Sequence, residues 1–225
     1  MTQNSDLALI QNLLQAGQHA EAEHRLKKIC AGTSASAESW FFLGAISGMR
    51  GDAEGAERGF RKSLALNPDF VQAQFNLGIA LRDQGLLEEA RAELEAVVAR
   101  QPQHADAFNA LGYVYLRLER HEDAERSFRT PLARNPAFPD ALTNLGNVLA
   151  TRKCWAEAVG YHRRALAAMP AHSGAAINLG SALVALGRFE EAIAAFRQAI
   201  AAHPDNLEAH LQLGAALNQC GRRQE

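Results

Sequence analysis

The chain has 225 residues, with 23 Lys or Arg and 25 Asp or Glu, so its formal net charge is −2. This balance gives no general attraction to nucleic-acid phosphates or to anionic membranes, and we expect no partner of either kind. The N-terminal residues lack the features of a secretory signal, and no window is apolar enough to predict a membrane span. Cys30, Cys154 and Cys220 are widely spaced and odd in number, which predicts neither a disulfide framework nor a metal site. Together these features predict a cytoplasmic protein without cofactors.

The sequence repeats at a fixed interval of 34 residues. Leu-Gly pairs mark this interval at Leu43-Gly44, Leu77-Gly78, Leu111-Gly112, Leu145-Gly146, Leu179-Gly180 and Leu213-Gly214. Prolines mark it at Pro68, Pro102, Pro136, Pro170 and Pro204. A strict period of this size indicates one supersecondary unit that is stacked many times. The units open at Gln3, Ala37, Val71, Ala105, Pro139, Ser173 and Leu207.

Each unit is predicted to contain two helices. In the unit that opens at Ser173, Leu179 and Leu183 fall on one helix face. Gly187 interrupts this pattern, and a second helical pattern follows until Pro204, which cannot donate a backbone hydrogen bond. The sequence therefore predicts an all-α protein, with six helix-turn-helix units and the first helix of a seventh in one domain over residues 1–225.

The first unit departs from the pattern. Ile10 stands where the other units have the glycine of the Leu-Gly pair, and Gly32-Thr33-Ser34 replaces the closing proline. Terminal repeats are often atypical because one of their faces meets water. We therefore interpret residues 3–36 as an N-terminal cap.

Small residues are predicted to let the two helices of a unit approach closely. The Leu-Gly glycines should face recurring alanines of the second helices, Ala56, Ala90, Ala124, Ala158 and Ala192. A second set of glycines fits the bend between the helices, where a positive φ is favourable only for glycine: Gly17, Gly51, Gly85, Gly187 and Gly221. Glu119 and Lys153 replace it in two units, so those bends should be less sharp or more strained.

Two residues depart from the repeat pattern in the second helices of the middle units. Pro131 lies in the last turns of one such helix, where the loss of a backbone hydrogen bond should kink or shorten it. His162 occupies a position that holds Phe60, Phe128 or Phe196 in other units, and we expect a half-buried structural histidine there.

Charges also follow the period. Acidic residues such as Glu54 and Glu157 open the second helices, and basic residues such as Arg61 and Arg163 gather toward their ends. This polarity complements the helix dipole. We therefore interpret most of these charges as structural rather than as a binding patch.

These features together resemble the tetratricopeptide repeat (TPR) family over essentially the whole chain. The family signature is present in one unit at Trp40, Leu43, Gly44, Ala56, Phe60 and Pro68. Another unit reproduces it at Phe108, Leu111, Gly112, Tyr115, Ala124, Phe128 and Pro136. The resemblance implies a right-handed α-solenoid whose first helices line a concave groove and whose second helices form the convex side.

A row of amide side chains is predicted in this groove. Asn76, Asn144 and Asn178 precede their Leu-Gly pairs by one residue, Gln212 continues the row, and Asn109 stands one residue earlier in its unit. An amide both donates and accepts hydrogen bonds, so such a row suits the backbone of an extended peptide. The alternative is that these side chains bond helix ends between neighbouring units. Four further groove candidates are Arg82, Tyr113, Asn147 and Asn218.

The amide row is similar to the ladder in the repeat region of O-linked N-acetylglucosamine transferases, where it holds the substrate backbone. In this sequence Phe42 and Ala110 interrupt the row. A basic clamp for a chain-terminal carboxylate is not expected, because Thr143, Glu208 and Gln212 occupy the positions that should be basic.

No catalytic motif is present, and the histidines are scattered. We therefore expect a non-catalytic interaction module that binds a protein or peptide. The alternative is the substrate-recruiting arm of a larger enzyme, such as a glycosyltransferase, sulfotransferase or methyltransferase, with a catalytic domain beyond residue 225. Either the last helix serves as a C-terminal cap, or the chain is a fragment of a longer protein. We expect a fragment, because this helix retains full repeat character. Leu213 and Leu217 should then have lost half of their expected cover, which would permit self-association.

Overall fold

A computed structural model of the protein describes residues 2–32 and 35–221. Within those ranges the chain forms thirteen α-helices and no β-strand. The first helices of the units are α1 (Thr2–Gln15), α3 (Ala37–Met49), α5 (Val71–Asp83), α7 (Ala105–Arg117), α9 (Pro139–Thr151), α11 (Ser173–Ala185) and α13 (Leu207–Gln219). The second helices are α2 (His19–Ala31), α4 (Ala53–Leu66), α6 (Leu87–Arg100), α8 (His121–Leu132), α10 (Trp155–Ala168) and α12 (Phe189–Ala202). This order confirms the predicted all-α fold of repeated helix pairs.

Contacts group the chain into two compact units, residues 1–114 and 115–225, which we call the N-terminal and C-terminal units. In the N-terminal unit, α4 packs between α3 and α5. In the C-terminal unit, α10 packs between α9 and α11, and α12 between α11 and α13. Each second helix named here thus joins two first helices. A single domain over residues 1–225 stays a prediction.

None of the described helices has the length and apolar character needed to cross a membrane.

The atypical first unit packs into a core that it shares with α3. Ile10 is buried in a cluster with Ala22, Leu26 and Ile46, so the residue that replaces the repeat glycine fills space between α1, α2 and α3. The expected departure from the closing proline involves Thr33 and Ser34, which lie outside the described residues.

The Leu-Gly glycines do permit close helix approach, but against a different neighbour from the one predicted. A Cβ atom at Gly180 would lie 2.4 Å from Cε1 of Phe196, and one at Gly78 would lie 2.7 Å from Cγ of Leu94. The carbonyl oxygen of Ala90 would be 3.5 Å from the latter. The large side chain one turn beyond the alanine therefore lies over the glycine, and the predicted Gly–Ala pairing was wrong as the principal contact in these units.

The bends between the helices of a unit share one backbone conformation. The five turn glycines have φ between 71° and 80°, as predicted. Glu119 and Lys153 adopt φ values of 60° and 61° at the equivalent positions. Their bends are therefore not relaxed, and both residues are held in a conformation that costs energy for any side chain with a Cβ atom.

Pro131 and His162 affect their second helices differently. Helix α8, which contains Pro131, has 12 residues, whereas α10 and α12 have 14. The predicted shortening is therefore confirmed. His162 on α10 is fully buried rather than half-buried, because its ring fills the same interior position as the ring of Phe196 in the next unit.

Two histidines have a role that the sequence did not reveal. Nδ1 of His104 accepts a hydrogen bond from the amide of Ala107, and Nδ1 of His172 accepts one from Ala175, at 3.2 and 3.1 Å. Each imidazole thereby satisfies an otherwise unpaired amide in the first turn of a helix. The other ring nitrogen of His172, Nε2, lies 3.2 Å from Oδ1 of Asp140.

Several of the periodic charges connect neighbouring units. Arg61 pairs with Glu89 at 2.8 Å, and Arg163 pairs with Glu191 at 2.6 Å, so an arginine of one second helix reaches the start of the next. The helix-dipole interpretation of these arginines was therefore incomplete. Because the pairs are half-exposed, each contributes little alone, and their effect is to favour one register between units.

The last helix corrects one expectation. Leu217 is buried and Leu213 is partly buried, whereas Leu207 and Leu211 are 71% and 65% exposed. The exposed apolar residues of α13 thus lie at its beginning. Leu217 has the cover that it was expected to have lost in part, whereas Leu213 is less buried than its equivalents Leu77 and Leu145.

Candidate peptide-binding surface

The first helices of successive repeats lie side by side, both in the N-terminal unit and in the C-terminal unit. Helix α9 contacts α11, and α11 contacts α13 in the C-terminal unit, while α3 contacts α5 in the N-terminal unit. We call the surface that these helices form the first-helix face. Residues one period apart occupy equivalent sites on neighbouring helices, so Asn144, Asn178 and Gln212 lie on three successive helices.

The members of this amide row differ in their environment. Asn178 is partly buried and Gln212 is exposed, and neither side chain forms a hydrogen bond with a residue that the structure describes. Asn147, one turn along α9 from the row, is likewise partly buried and unbonded within the described residues. Asn144 and Asn218, in contrast, already interact with other groups of the protein. The row therefore combines amides that are available to a ligand with amides that have partners inside the fold.

The first helices α9, α11 and α13 of the C-terminal unit carry few charged residues. Helices α9, α11 and α13 contain no Lys or Arg, and their charged residues are Asp140 and Glu208. A carboxylate of a partner would find no cation on these helices. The composition therefore favours neutral or basic partner segments over acidic ones.

In the N-terminal unit two of the predicted residues meet. The guanidinium carbon of Arg82 lies 5.7 Å from the ring centroid of Tyr113, and Arg82 also pairs with Asp83 at 2.7 Å. Tyr113 is 44% exposed, so part of this residue is accessible to a partner. Asn109, on the same helix as Tyr113, is partly buried and already interacts within the protein.

Asn76 belongs to a separate feature that the sequence did not reveal. A cavity of about 420 Å³ opens between α3, the start of α4 and α5, and Asn76 is part of its wall. The amide of Asn76 is partly buried and forms no hydrogen bond with a described residue. The other lining residues are Ala45, Gly48, Met49, Gly51, Ala53, Ala56, Phe60, Ile79, Ala80 and Asp83. Of the predicted site residues, Asn76, Arg82, Asn109 and Tyr113 thus lie in the N-terminal unit, and Asn76 is the one that lines this cavity.

The described residues contain no candidate metal site. No group of three His, Cys, Asp or Glu side chains there is arranged to hold a metal ion. The cysteines Cys30, Cys154 and Cys220 are free thiols, and burial raises the pKa of Cys30 to about 11, which keeps it in the unreactive thiol form.

Comparison with protein-family models agrees with the helix pairs. Models described as "Tetratricopeptide repeat" match residues 49–105, 80–130 and 109–173, and one described as "TPR repeat" matches residues 180–221. The chain belongs to the tetratricopeptide repeat family. TPR proteins generally mediate protein–protein interactions, and this TPR protein has the same general role.

Similar sequences and structures occur in several other proteins. An uncharacterised protein of Methanocaldococcus jannaschii is 44% identical over 55 residues, which is 24% of this chain and 64% of that protein. The crystal structure of MamA is 25% identical, with a TM-score of 0.62, over 72% of this chain and 95% of that one. The crystal structure of PilW, a type IV pilus biogenesis factor, is 19% identical, with a TM-score of 0.83, over 95% of this chain and all of PilW (100%). At that identity, the similarity to PilW shows a shared fold alone.

Proposed function

We propose that this TPR protein is a non-catalytic interaction module that binds an extended peptide or partner segment along its first-helix face. The observation that supports this function is the amide row of Asn144, Asn178 and Gln212 on three successive helices of the C-terminal unit. Two of these amides, those of Asn178 and Gln212, have no hydrogen-bond partner among the described residues.

An extended backbone is the ligand that suits these amides. Each amide donates and accepts, as does each peptide group, so the match does not depend on the side chains of the partner. The row repeats once per unit, and a partner in an extended conformation can reach successive helices with successive segments. The carboxylates of Asp140 and Glu208 on α9 and α13 would then favour neutral or basic side chains in the partner.

The expected affinity is modest. A neutral hydrogen bond contributes about 0.5–1.5 kcal/mol net, so binding by the row must be spread over several contacts. Asn144 is expected to act together with its existing partner in the fold, which orients it, whereas Asn178 and Gln212 are free to bond the ligand.

The test begins with peptides selected from a random 12-residue display library on the full chain. Their affinity is then measured by titration calorimetry for the wild type and for the double variant Asn178→Ala/Gln212→Ala. Loss of two hydrogen bonds should weaken binding by about 5-fold to 150-fold. The midpoint of thermal unfolding should not fall, because neither side chain has a partner in the described fold and alanine favours helix.

The matched control removes two amides elsewhere. Gln101 and Gln103 are exposed, lie in the loop before α7 and form no side-chain hydrogen bond with a described residue. The variant Gln101→Ala/Gln103→Ala should bind selected peptides as the wild type does. A lower melting temperature with unchanged binding in the Asn178/Gln212 variant would contradict the proposal and support the alternative in which these amides hold the repeats together.

A further inference from the structure

The cavity beside Asn76 exists because one unit has unusually small residues. Gly48 of α3 is equivalent to Arg82, Leu116, Ala150, Val184 and Asn218 in later units, so only the second unit lacks a side chain at this place. A Cβ atom at Gly48 would make ordinary contact with Cβ of Ala56, 3.7 Å away, so packing within α3 and α4 does not require a glycine. The missing side chain leaves open space between α3, α4 and α5 instead. We call this space the Gly48 pocket.

The walls of the Gly48 pocket are mainly apolar. Phe60 and Ala56 form its floor from the second helix, and Ile79 lines it from α5. Met49 is 61% exposed and also lines the pocket, so a flexible side chain stands at its edge. A pocket of about 420 Å³ lies near the lower end of the range for ligand sites, about 300–1,000 Å³. Such a volume suits one large side chain with its adjoining backbone rather than a folded domain.

Two polar groups limit what the pocket can accept. Asp83 is the one charged residue among the described residues that line it, and the amide of Asn76 is unbonded within the described chain. An acidic side chain would meet the carboxylate of Asp83 without a free cation, because Arg82 already pairs with Asp83. A neutral peptide group, in contrast, would find a donor and an acceptor in Asn76.

We infer that the Gly48 pocket is a specificity pocket that takes one bulky aliphatic or aromatic side chain of the partner segment, with the adjoining peptide group bonded to Asn76. The inference rests on the proposed function, because it supplies the side-chain selection that an amide row lacks. An acidic anchor is not expected, since the lining is mainly apolar and its one charged residue among those described is the carboxylate of Asp83.

The chain offers a direct reporter for this pocket. It contains three methionines, of which Met49 lines the pocket and Met169 is exposed on the C-terminal unit. We would label the methionine methyl groups with ¹³C and titrate the full chain with the N-acetyl methylamides of leucine, tryptophan and aspartate. The leucine and tryptophan probes should shift the Met49 signal in a saturable manner at millimolar concentration, as expected for small ligands with one anchor. The Met169 signal should not move, and the aspartate probe should leave both unchanged.

Variants then locate the binding. Gly48→Leu should fill the pocket and weaken both apolar probes at least 10-fold, whereas Gly48→Ala should keep most of the space and bind them. Gly160→Leu is the matched control, since Gly160 is a helical glycine of α10, and a Cβ atom added there would meet no heavy atom within 4 Å. This control should bind both probes with wild-type affinity.

The two proposals can fail separately. No saturable shift of Met49 with either apolar probe would overturn the pocket, and this titration uses the wild-type chain, so it does not depend on the folding of any variant. Wild-type affinity in folded Gly48→Leu would overturn it as well. Peptides that still lose affinity in the Asn178/Gln212 variant would then leave the proposed function intact.

Discussion

The ring of His162 lies directly against Gly146 on the facing helix, and a Cβ atom at Gly146 would stand only 2.6 Å from Cε1 of that ring. His162 is completely buried, and neither ring nitrogen has a hydrogen-bond partner among the described residues. The equivalent pair in the next unit is Gly180 with Phe196, which has the same close approach and no polar atoms to satisfy. The repeat thus provides a site shaped for an aromatic ring, in which one unit carries an imidazole.

Replacing His162 with phenylalanine should therefore stabilise the protein. An unsatisfied buried polar group costs about 1–3 kcal/mol, and the Gly180–Phe196 pair shows that this site accommodates the larger ring. We expect His162→Phe to raise the free energy of unfolding at pH 7 by about 1–2 kcal/mol, measured by urea denaturation. The variant His162→Ala should lower it instead, because it leaves a cavity. Equal stability of the phenylalanine variant and the wild type would mean that the imidazole is satisfied in solution.

The same residue makes stability depend on pH. Burial, and secondarily the nearby His172, lower the pKa of His162 from 6.5 to about 4. The folded state therefore keeps the ring neutral at pH values where the unfolded state already binds a proton. Stability from this group is complete above pH 6.5, falls as the pH decreases, and is lost by about pH 4, with a total loss of about 3 kcal/mol.

Because other groups titrate in the same pH range, the contribution of His162 is isolated by comparing His162→Phe with the wild type. The difference in unfolding free energy between His162→Phe and the wild type should grow as the pH decreases from 7 to 4. A difference that does not change over this range would show that His162 is not buried in the neutral form.

The bends at Glu119 and Lys153 give a third prediction. Both residues have positive φ, like the glycines at the equivalent sites. A left-handed conformation costs a residue with a Cβ atom about 1–2 kcal/mol, and glycine in turn loses more conformational freedom on folding. The net gain for Glu119→Gly or Lys153→Gly should be about 0.5–1 kcal/mol, measured by thermal unfolding with calorimetry. Gly187→Lys is the reverse substitution at an equivalent bend and should cost a similar amount; stabilisation by that change would refute the strain.

The repeat architecture could be predicted because its causes are local. The Leu-Gly pair, the turn residue and the closing proline each act within one unit, and α3 and α5 begin at Ala37 and Val71, where the period sets them. The shortening at Pro131 also followed from one missing amide. These features need no knowledge of the neighbouring unit.

The candidate site could be predicted only in part, because it depends on what neighbouring helices supply. The sequence places Asn144 and Asn178 at equivalent positions, but one already interacts within the fold and the other has no such bond in the described structure. The Gly48 pocket arises from an absent side chain, and its volume depends on Ile79 and Asn76 of the next unit. The capping by His104 and His172 requires ring orientations that residue type does not fix.

The helical glycines provide the last prediction, since they separate into two groups by their surroundings. A Cβ atom at Gly59 would lie 2.5 Å from the Cα atom of Gly44, so two backbones meet there and neither can move aside as a side chain could. A Cβ atom at Gly160 would instead stand in open space. Alanine is about 1 kcal/mol more favourable than glycine inside a helix, so Gly160→Ala should stabilise the protein by up to that amount.

Gly59→Ala should instead destabilise it by more than about 2 kcal/mol, because overpacking outweighs the helix propensity that both substitutions share. Since the chemical change is identical, the difference between the two variants in urea denaturation measures the close approach of α3 and α4. If both variants were stabilised equally, the two helices would have to be farther apart than the positions of Gly44 and Gly59 require, and the interpretation of these glycines as packing residues would fail.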